Sequence, residues 1–536
     1  MSDNSDTKAE AAKLKDEGNA LFVKKKYREA HAKYSGAIAK DDKNAVYFAN
    51  RAACSLNLSQ YLDATKDADQ ATKLDPLYPK AWVRLATAEH MIGSYDKSIE
   101  HYRRALQTLP VENLTSAELK QKEDWTKDMM TVKRKYERLQ QTPIPHQVVM
   151  QQENTPWARA KAMEPELSRQ GVDGVQSSAW VIIAAYDQFA EGVKYMKQLK
   201  QEGARIIAHS GALVNISNGI VQDSRVFHLE DQNFLDLYNK QMMFDMQRTG
   251  APAEGGTEHI TATIIERQQK DGWDAARQAL ATTVRGYIMR GFLSGRLQAE
   301  NHVAEEEFLK RALEILEWGH TGPWKDVPEK TKGVVFSKTF IRGVRVLHME
   351  AYMNAYQNDP QTYPLKALYD EAKALVRECE EAARDLSTQN FGPAFTNSFY
   401  MYPCGHAITM IGFYHAQMAT RTNELDPDTV ENHYRQAGLA YLEAARMFLP
   451  DDEQRVWFLN VALTNLWKCG TPIRDTLPIM EQIRLAIPKM KRIWEFSSIA
   501  NARDVALDRI DTIEKGIREK LANGEVSLSD RLVPNW

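Results

Sequence analysis

Three consecutive stretches of this chain, 11–44, 45–78 and 79–112, superimpose at a spacing of 34 residues. Small residues return at the same offsets. The eighth position carries Gly18, Ala52 and Ala86, the twentieth Ala30, Ala64 and Ser98, and the twenty-seventh Ala37, Ala71 and Ala105. This period predicts two antiparallel helices per unit, crossing where a large side chain would not fit. Turns fall where the period needs them. Lys40-Asp41-Asp42-Lys43-Asn44 closes the first unit, Leu74-Asp75-Pro76 the second and Leu109-Pro110 the third. The prolines end the preceding helix because they lack an N–H and clash with the turn before them. Residues 116–140 are charged but keep Leu119, Met129, Met130, Val132, Tyr136 and Leu139. That is the pattern of an extra helix capping the last unit. Stacked units of this kind form a superhelix with a concave groove, a surface suited to gripping a peptide.

Beyond the array the texture changes. Residues 141–178 carry Pro143, Pro145, Pro156 and Pro165 among scattered glycines and read as a linker. Segment 179–248 mixes a helix at 180–199 with extended stretches at 205–209, 212–216 and 224–228, Ser217-Asn218-Gly219 forming a turn between two of them. A polar stretch, 249–258, leads into a helical region, 259–536. There Leu309, Ala312, Leu313 and Leu316 follow helical spacing, as do Tyr434, Ala437, Tyr441, Ala444 and Phe448. The second set echoes the second helix of the N-terminal units, so degenerate repeats are expected. The expected fold is all-α, with one minor β element and a frayed start at 1–8.

Composition narrows the function classes. The 536 residues are 43% hydrophobic and 26% charged, as in ordinary soluble proteins. The net charge of −3 gives no reason to expect nucleic acid or an anionic membrane as partner. No apolar run approaches the roughly eighteen residues that would suggest a membrane span. The first residues, MSDNSDTKAEAAK, hold no apolar targeting segment. Cys54, Cys379, Cys404 and Cys469 lie far apart without metal-ligand spacing. Reduced thiols, a cytoplasmic location and no metal or cofactor are the expectation.

The wording of the array is KLKDEGNALF, YREAHAKYSGAI, YFANRAA, LDPLYPKAWVRLATA and YDKSIEHYRRAL. It resembles the tetratricopeptide-repeat domains of heat-shock co-chaperones, and the resemblance covers about residues 9–140. It says nothing of 179–536. A subset of that family binds the C-terminal Glu-Glu-Val-Asp of heat-shock protein 70 and 90 chaperones. Its mark is a two-carboxylate clamp: Lys and Asn one turn apart on the first helix, Asn on the third, Lys and Arg one turn apart on the fifth. This chain has all five, as Lys15 and Asn19, Asn50, and Lys80 and Arg84. The resemblance implies that they bind the peptide's terminal carboxylates.

The chemistry of such a set is independent of the family. A terminal aspartate presents two carboxylates a few ångströms apart, so several donors must converge on it from different helices. Residues four apart share a helix face, which joins Lys15 to Asn19 and Lys80 to Arg84. Lysine supplies a point charge, arginine a planar fork, and asparagine an amide that donates without adding charge.

Other constellations are weaker. Cys404-Gly405-His406 sets a thiol near an imidazole, but neighbours in sequence do not make a nucleophile–base pair. His302, His320, His348, His406, His415 and His433 are scattered without ligand spacing. Gly250–Gly256 lacks the GxxxxGK of a phosphate loop. Three classes of function remain. The first is a non-enzymatic chaperone adaptor whose region 179–536 holds a client or second protein. The second is a co-chaperone with an unfamiliar catalytic C-terminal domain, and the third a scaffold whose groove binds an unrelated peptide.

Overall fold

The 34-residue period is built as three helix pairs in the computed structural model: α1 (Ser2–Val23) with α2 (Tyr27–Lys40), α3 (Ala45–Asn57) with α4 (Tyr61–Leu74), and α5 (Pro79–Met91) with α6 (Tyr95–Gln107). All residues are described except 1, 111, 142–151, 204, 230–232, 298–300, 386–390, 422–425 and 532–536. Among the described residues the fold is all-α, apart from one antiparallel pair of short strands, Lys200–Glu202 and Arg205–Ile207. The chain divides into two units, Met1–His146 with Asp245–Phe336, and Gln147–Phe244 with Ser337–Trp536. In this division residues 245–336 fall in the same unit as the repeats.

In the first unit the small residues sit where helices cross. Ala30, Ala37, Ala52, Ala64, Ala71, Ala86 and Ala105 are fully buried. A Cβ on Gly18 would lie 2.8 Å from the Tyr34 ring, so this glycine sets how closely α1 approaches α2. The turn inside each pair repeats as well: Lys25, Ser59 and Gly93, 34 residues apart, all have positive φ. A capping helix, α7 (Ser116–Gln141), buries Trp125 and Val132 against Tyr95, Tyr102 and Leu109. Helix α1 begins at Ser2, so the polar stretch at the start is helical.

Two further long helices belong to this unit: Thr257–Leu297, broken at Gly272 where φ is 84°, and His302–Thr321. Helix α4 has no side-chain cap of its own. Instead the buried Glu307 carboxylate accepts a hydrogen bond from the Leu62 N–H at 3.0 Å, at a helix end that favours negative charge. Arg311 then pairs with Asp63 at 2.8 Å, Glu307 at 3.2 Å and Glu314 at 2.8 Å. Three carboxylates thus share one guanidinium. Burial pushes Glu307 up to about 7, while Arg311 pulls the other way. A carboxyl raised on folding contributes stability that is fully present below its unfolded value and lost as pH rises through the folded one. Wild type should therefore lose about 1 kcal/mol between pH 6 and 8 through this group. Glu307→Gln cannot ionise and should flatten that slope in urea unfolding; an unchanged slope would assign the pH dependence elsewhere.

The second unit corrects four expectations. Residues 212–216 are not a strand: Ala212–Gln222 is a helix burying Leu213, Ile216, Ser217 and Ile220. Its β-branched residues mimicked a strand, yet their spacing is helical. Gly219, expected in a turn, lies mid-helix. A Cβ there would meet the Ala185 carbonyl at 2.8 Å, so it marks a helix crossing. Residues 224–228 begin with a 3-10 turn at Ser224–Val226. Within 141–178, positions 142–151 lie outside the described residues, but Pro156–Arg169 is a helix. Pro156 occupies its first turn, where no N–H is needed, and Thr155 caps it. From Tyr402 onward, successive helices pack on one another (Tyr402–Ala419, Pro427–Met447, Glu453–Lys468, Ile473–Trp494) with Ala437, Tyr441 and Ala444 buried. No helix among the described residues is long and apolar enough to cross a membrane.

Candidate peptide-carboxylate site

Helices α1, α3 and α5, the first of each pair, form one wall of the array, and hydrogen bonds between their side chains run along it. Arg84 on α5 donates to Asn50 Oδ1 at 3.3 Å. Asn50 on α3 donates through Nδ2 to Asn19 Oδ1 at 3.2 Å. Asn19 on α1 also accepts from the Tyr34 hydroxyl at 2.8 Å. Three of the five sequence-predicted residues are therefore in one connected cluster. The other two flank it on the same helices, Lys15 one turn before Asn19 and Lys80 one turn before Arg84. Lys15 pairs with its exposed neighbour Asp16 at 2.8 Å, and Lys80 is exposed.

The cluster has a polarity. Arginine has donors and no acceptor, so Arg84 obliges Asn50 to turn its oxygen toward it. The Asn50 nitrogen then faces Asn19, whose oxygen takes that bond and the one from Tyr34. Both amide oxygens are engaged inside the cluster. The hydrogen-bonding capacity left over in the cluster is N–H: the Asn19 amide, the second Asn50 hydrogen and the rest of the Arg84 fork, with the two lysines on the same helices. Such a set suits a ligand that only accepts, which is the state of an ionised carboxylate.

Electrostatics agree. Desolvation draws the Arg84 guanidinium below its ordinary value, offset in part by Tyr78, Tyr34 and Cys54. None of those neighbours is a carboxyl, so a partly buried cation is held here without an acid of the described chain as its principal partner. Arg51, next in sequence to Asn50, is the contrast. It meets Asp67 with two hydrogen bonds of 2.7 Å and reaches Ser35 at 3.1 Å, which ties α3 to α4 and α2.

Sequence reasoning missed Tyr34 and the Arg51–Asp67 brace. The signal was present as a repeat offset. The ninth residue of a unit faces the twenty-fourth in the first repeat (Asn19 and Tyr34) and again in the third, where the Thr87 and Tyr102 hydroxyls lie 3.2 Å apart. Of the scattered histidines, the fold joins His415 and His433, Nδ1 to Nδ1 at 3.0 Å. Cys404 and His406 look different ways: the thiol interacts with Cys379, and the imidazole lies 3.3 Å from Glu350.

No family model matches the chain. Small glutamine-rich tetratricopeptide repeat-containing protein 2 of Saccharomyces cerevisiae is 39% identical over 104 residues, 19% of this chain and 30% of that protein. Hsp70-Hsp90 organizing protein 1 of Glycine max is 36% identical over 100 residues, 19% of this chain and 18% of that one. The chain thus spans less than a third of the length of either relative. A solved domain, the second TPR of Spaghetti (RPAP3) bound to HSP90 peptide SRMEEVD, is 33% identical across all of that chain and 20% of this one, with a TM-score of 0.20. By period, helix pairing and sequence similarity, the N-terminal array is a tetratricopeptide-repeat domain resembling those of co-chaperones.

Proposed function

We propose that residues 9–140 bind the C-terminal Glu-Glu-Val-Asp tail of heat-shock protein 90 or 70 chaperones, and that the chain is a cytoplasmic adaptor rather than an enzyme. Lys15, Lys80 and Arg84 neutralise the two carboxylates of the last residue, and Asn19 and Asn50 orient them through amide hydrogen bonds. Residues 179–536 hold a client or second protein. The observation that carries this reading is the donor surplus of the Asn19–Asn50–Arg84 cluster, built around a cation whose main neighbours among the described residues are Tyr78, Tyr34 and Cys54. The similarity of the array to a protein named for organising Hsp70 and Hsp90 supports the choice of ligand.

The test is a titration of the full chain with a labelled peptide ending Met-Glu-Glu-Val-Asp, beside the same peptide with its C terminus amidated. The free carboxylate should bind saturably, more weakly as salt rises, and amidation should abolish it. Equal binding of both peptides would favour a groove that reads an ordinary internal segment.

A further inference from the structure

We propose that Tyr34, which lies on α2 and outside the five-residue clamp pattern, is a positioning residue for the carboxylate site, acting through Asn19; this rests on the carboxylate-binding reading above. Its hydroxyl donates to Asn19 Oδ1 at 2.8 Å, the shortest bond in the cluster. Its ring is almost fully buried and pressed against Gly18. Hydroxyl and ring thus have separate duties, the ring fixing the α1–α2 crossing and the hydroxyl fixing an amide.

Asn19 needs fixing because it is exposed on α1, where water competes for its amide. An asparagine amide carries an acceptor on one side and donors on the other, and rotation about its last bond exchanges them. Only one orientation suits a carboxylate, since the other turns an oxygen toward an oxygen anion. Asn50 holds Asn19 from the groove side at 3.2 Å and is polarised by Arg84. Tyr34 holds the same oxygen from inside the repeat. With both donors present the oxygen is fixed and the Nδ2 faces the ligand.

Burial supports the role. It raises the Tyr34 hydroxyl to about 12, so the group remains a donor well beyond neutral pH. The third repeat keeps the offset but not the amide. There Tyr102 meets Thr87, a hydroxyl with no amide to orient, although the offset is the same.

The experiment uses the full chain, the Met-Glu-Glu-Val-Asp peptide and its amidated form. Tyr34→Phe keeps the ring and removes the oxygen. It should weaken the carboxylate peptide about three- to tenfold, the effect of one ordinary hydrogen bond. The amidated peptide should not move, and the thermal midpoint should fall by no more than the few degrees that one hydrogen bond is worth. In an Asn19→Ala background Tyr34→Phe should add nothing, because the residue through which it acts is gone. Wild-type affinity in Tyr34→Phe, with Lys80→Ala losing binding, overturns the positioning role alone. So does an equal loss in both backgrounds with a midpoint lowered beyond that, which would make Tyr34 a packing residue. Failure of the wild type to distinguish the two peptides overturns the carboxylate reading on which the proposal stands.

Discussion

Arg84→Ala should weaken binding of a Glu-Glu-Val-Asp peptide about ten- to a hundredfold, and Lys80→Ala with Arg84→Ala together should remove measurable binding. A hydrogen bond to a charged group contributes roughly 1.5–3 kcal/mol, which gives the single-site range. Arg84 also carries more than its own contact. It is the donor that turns the Asn50 oxygen inward at 3.3 Å. Without it that oxygen is free to face the ligand, and a site of donors acquires an acceptor beside a carboxylate. Arg84→Lys separates the two effects, since it restores the charge without the planar fork, and should fall between wild type and alanine. The amidated peptide should be indifferent to all three variants. Isothermal titration at low and moderate salt checks this directly; wild-type affinity in Arg84→Ala would take the guanidinium out of the site.

Much of this architecture was legible, for a physical reason. A repeat writes each packing rule three times, so Gly18, Ala52 and Ala86 announce a helix crossing that one glycine would not. The five clamp positions stood out because polar residues on a helix face at set offsets have a simple geometric meaning. Tyr34 did not stand out because its ring satisfies the packing rule and hides the hydroxyl's second duty. In the other unit the same device occurs without the period. A Cβ on Gly412 would meet the Tyr441 ring at 2.9 Å, and one on Gly405 the Phe448 ring at 2.6 Å. With no fixed spacing to align them, those glycines read as neutral, and Ser217-Asn218-Gly219 reads as a turn. Nor does any local pattern disclose Glu307 at the start of α4, a partner 245 residues away.

Long-range charge also governs the largest stability effect expected in the second unit. Arg225 should be the residue whose loss costs most there, with Arg225→Ala destabilising by about 3–5 kcal/mol at pH 7, the usual cost of leaving a buried charge unpaired. Its guanidinium meets Asp452 with two bonds, of 2.8 and 3.0 Å, and Asp223 with bonds of 2.9 and 2.7 Å. Its planar face lies 3.9 Å from the centre of the Trp494 ring. Asp452 is fully buried and also accepts from the Tyr402 hydroxyl at 2.8 Å and the Gln454 N–H at 2.9 Å. Burial alone drives this carboxyl up, but the charge and hydrogen bonds of Arg225, with those of Gln454 and Tyr402, outweigh it and leave the carboxyl below its ordinary value. A carboxyl lowered on folding contributes stability that is present above its unfolded value and lost as pH falls through the folded one. The cost of Arg225→Ala should therefore be full at pH 7 and smaller near pH 4, where the stranded carboxyl can take up a proton. Urea unfolding of wild type and variant at the two pH values measures both numbers. A loss under about 1 kcal/mol at pH 7, or one that does not shrink in acid, would mean that Arg225 holds the helices by packing on Trp494 rather than by balancing buried charge.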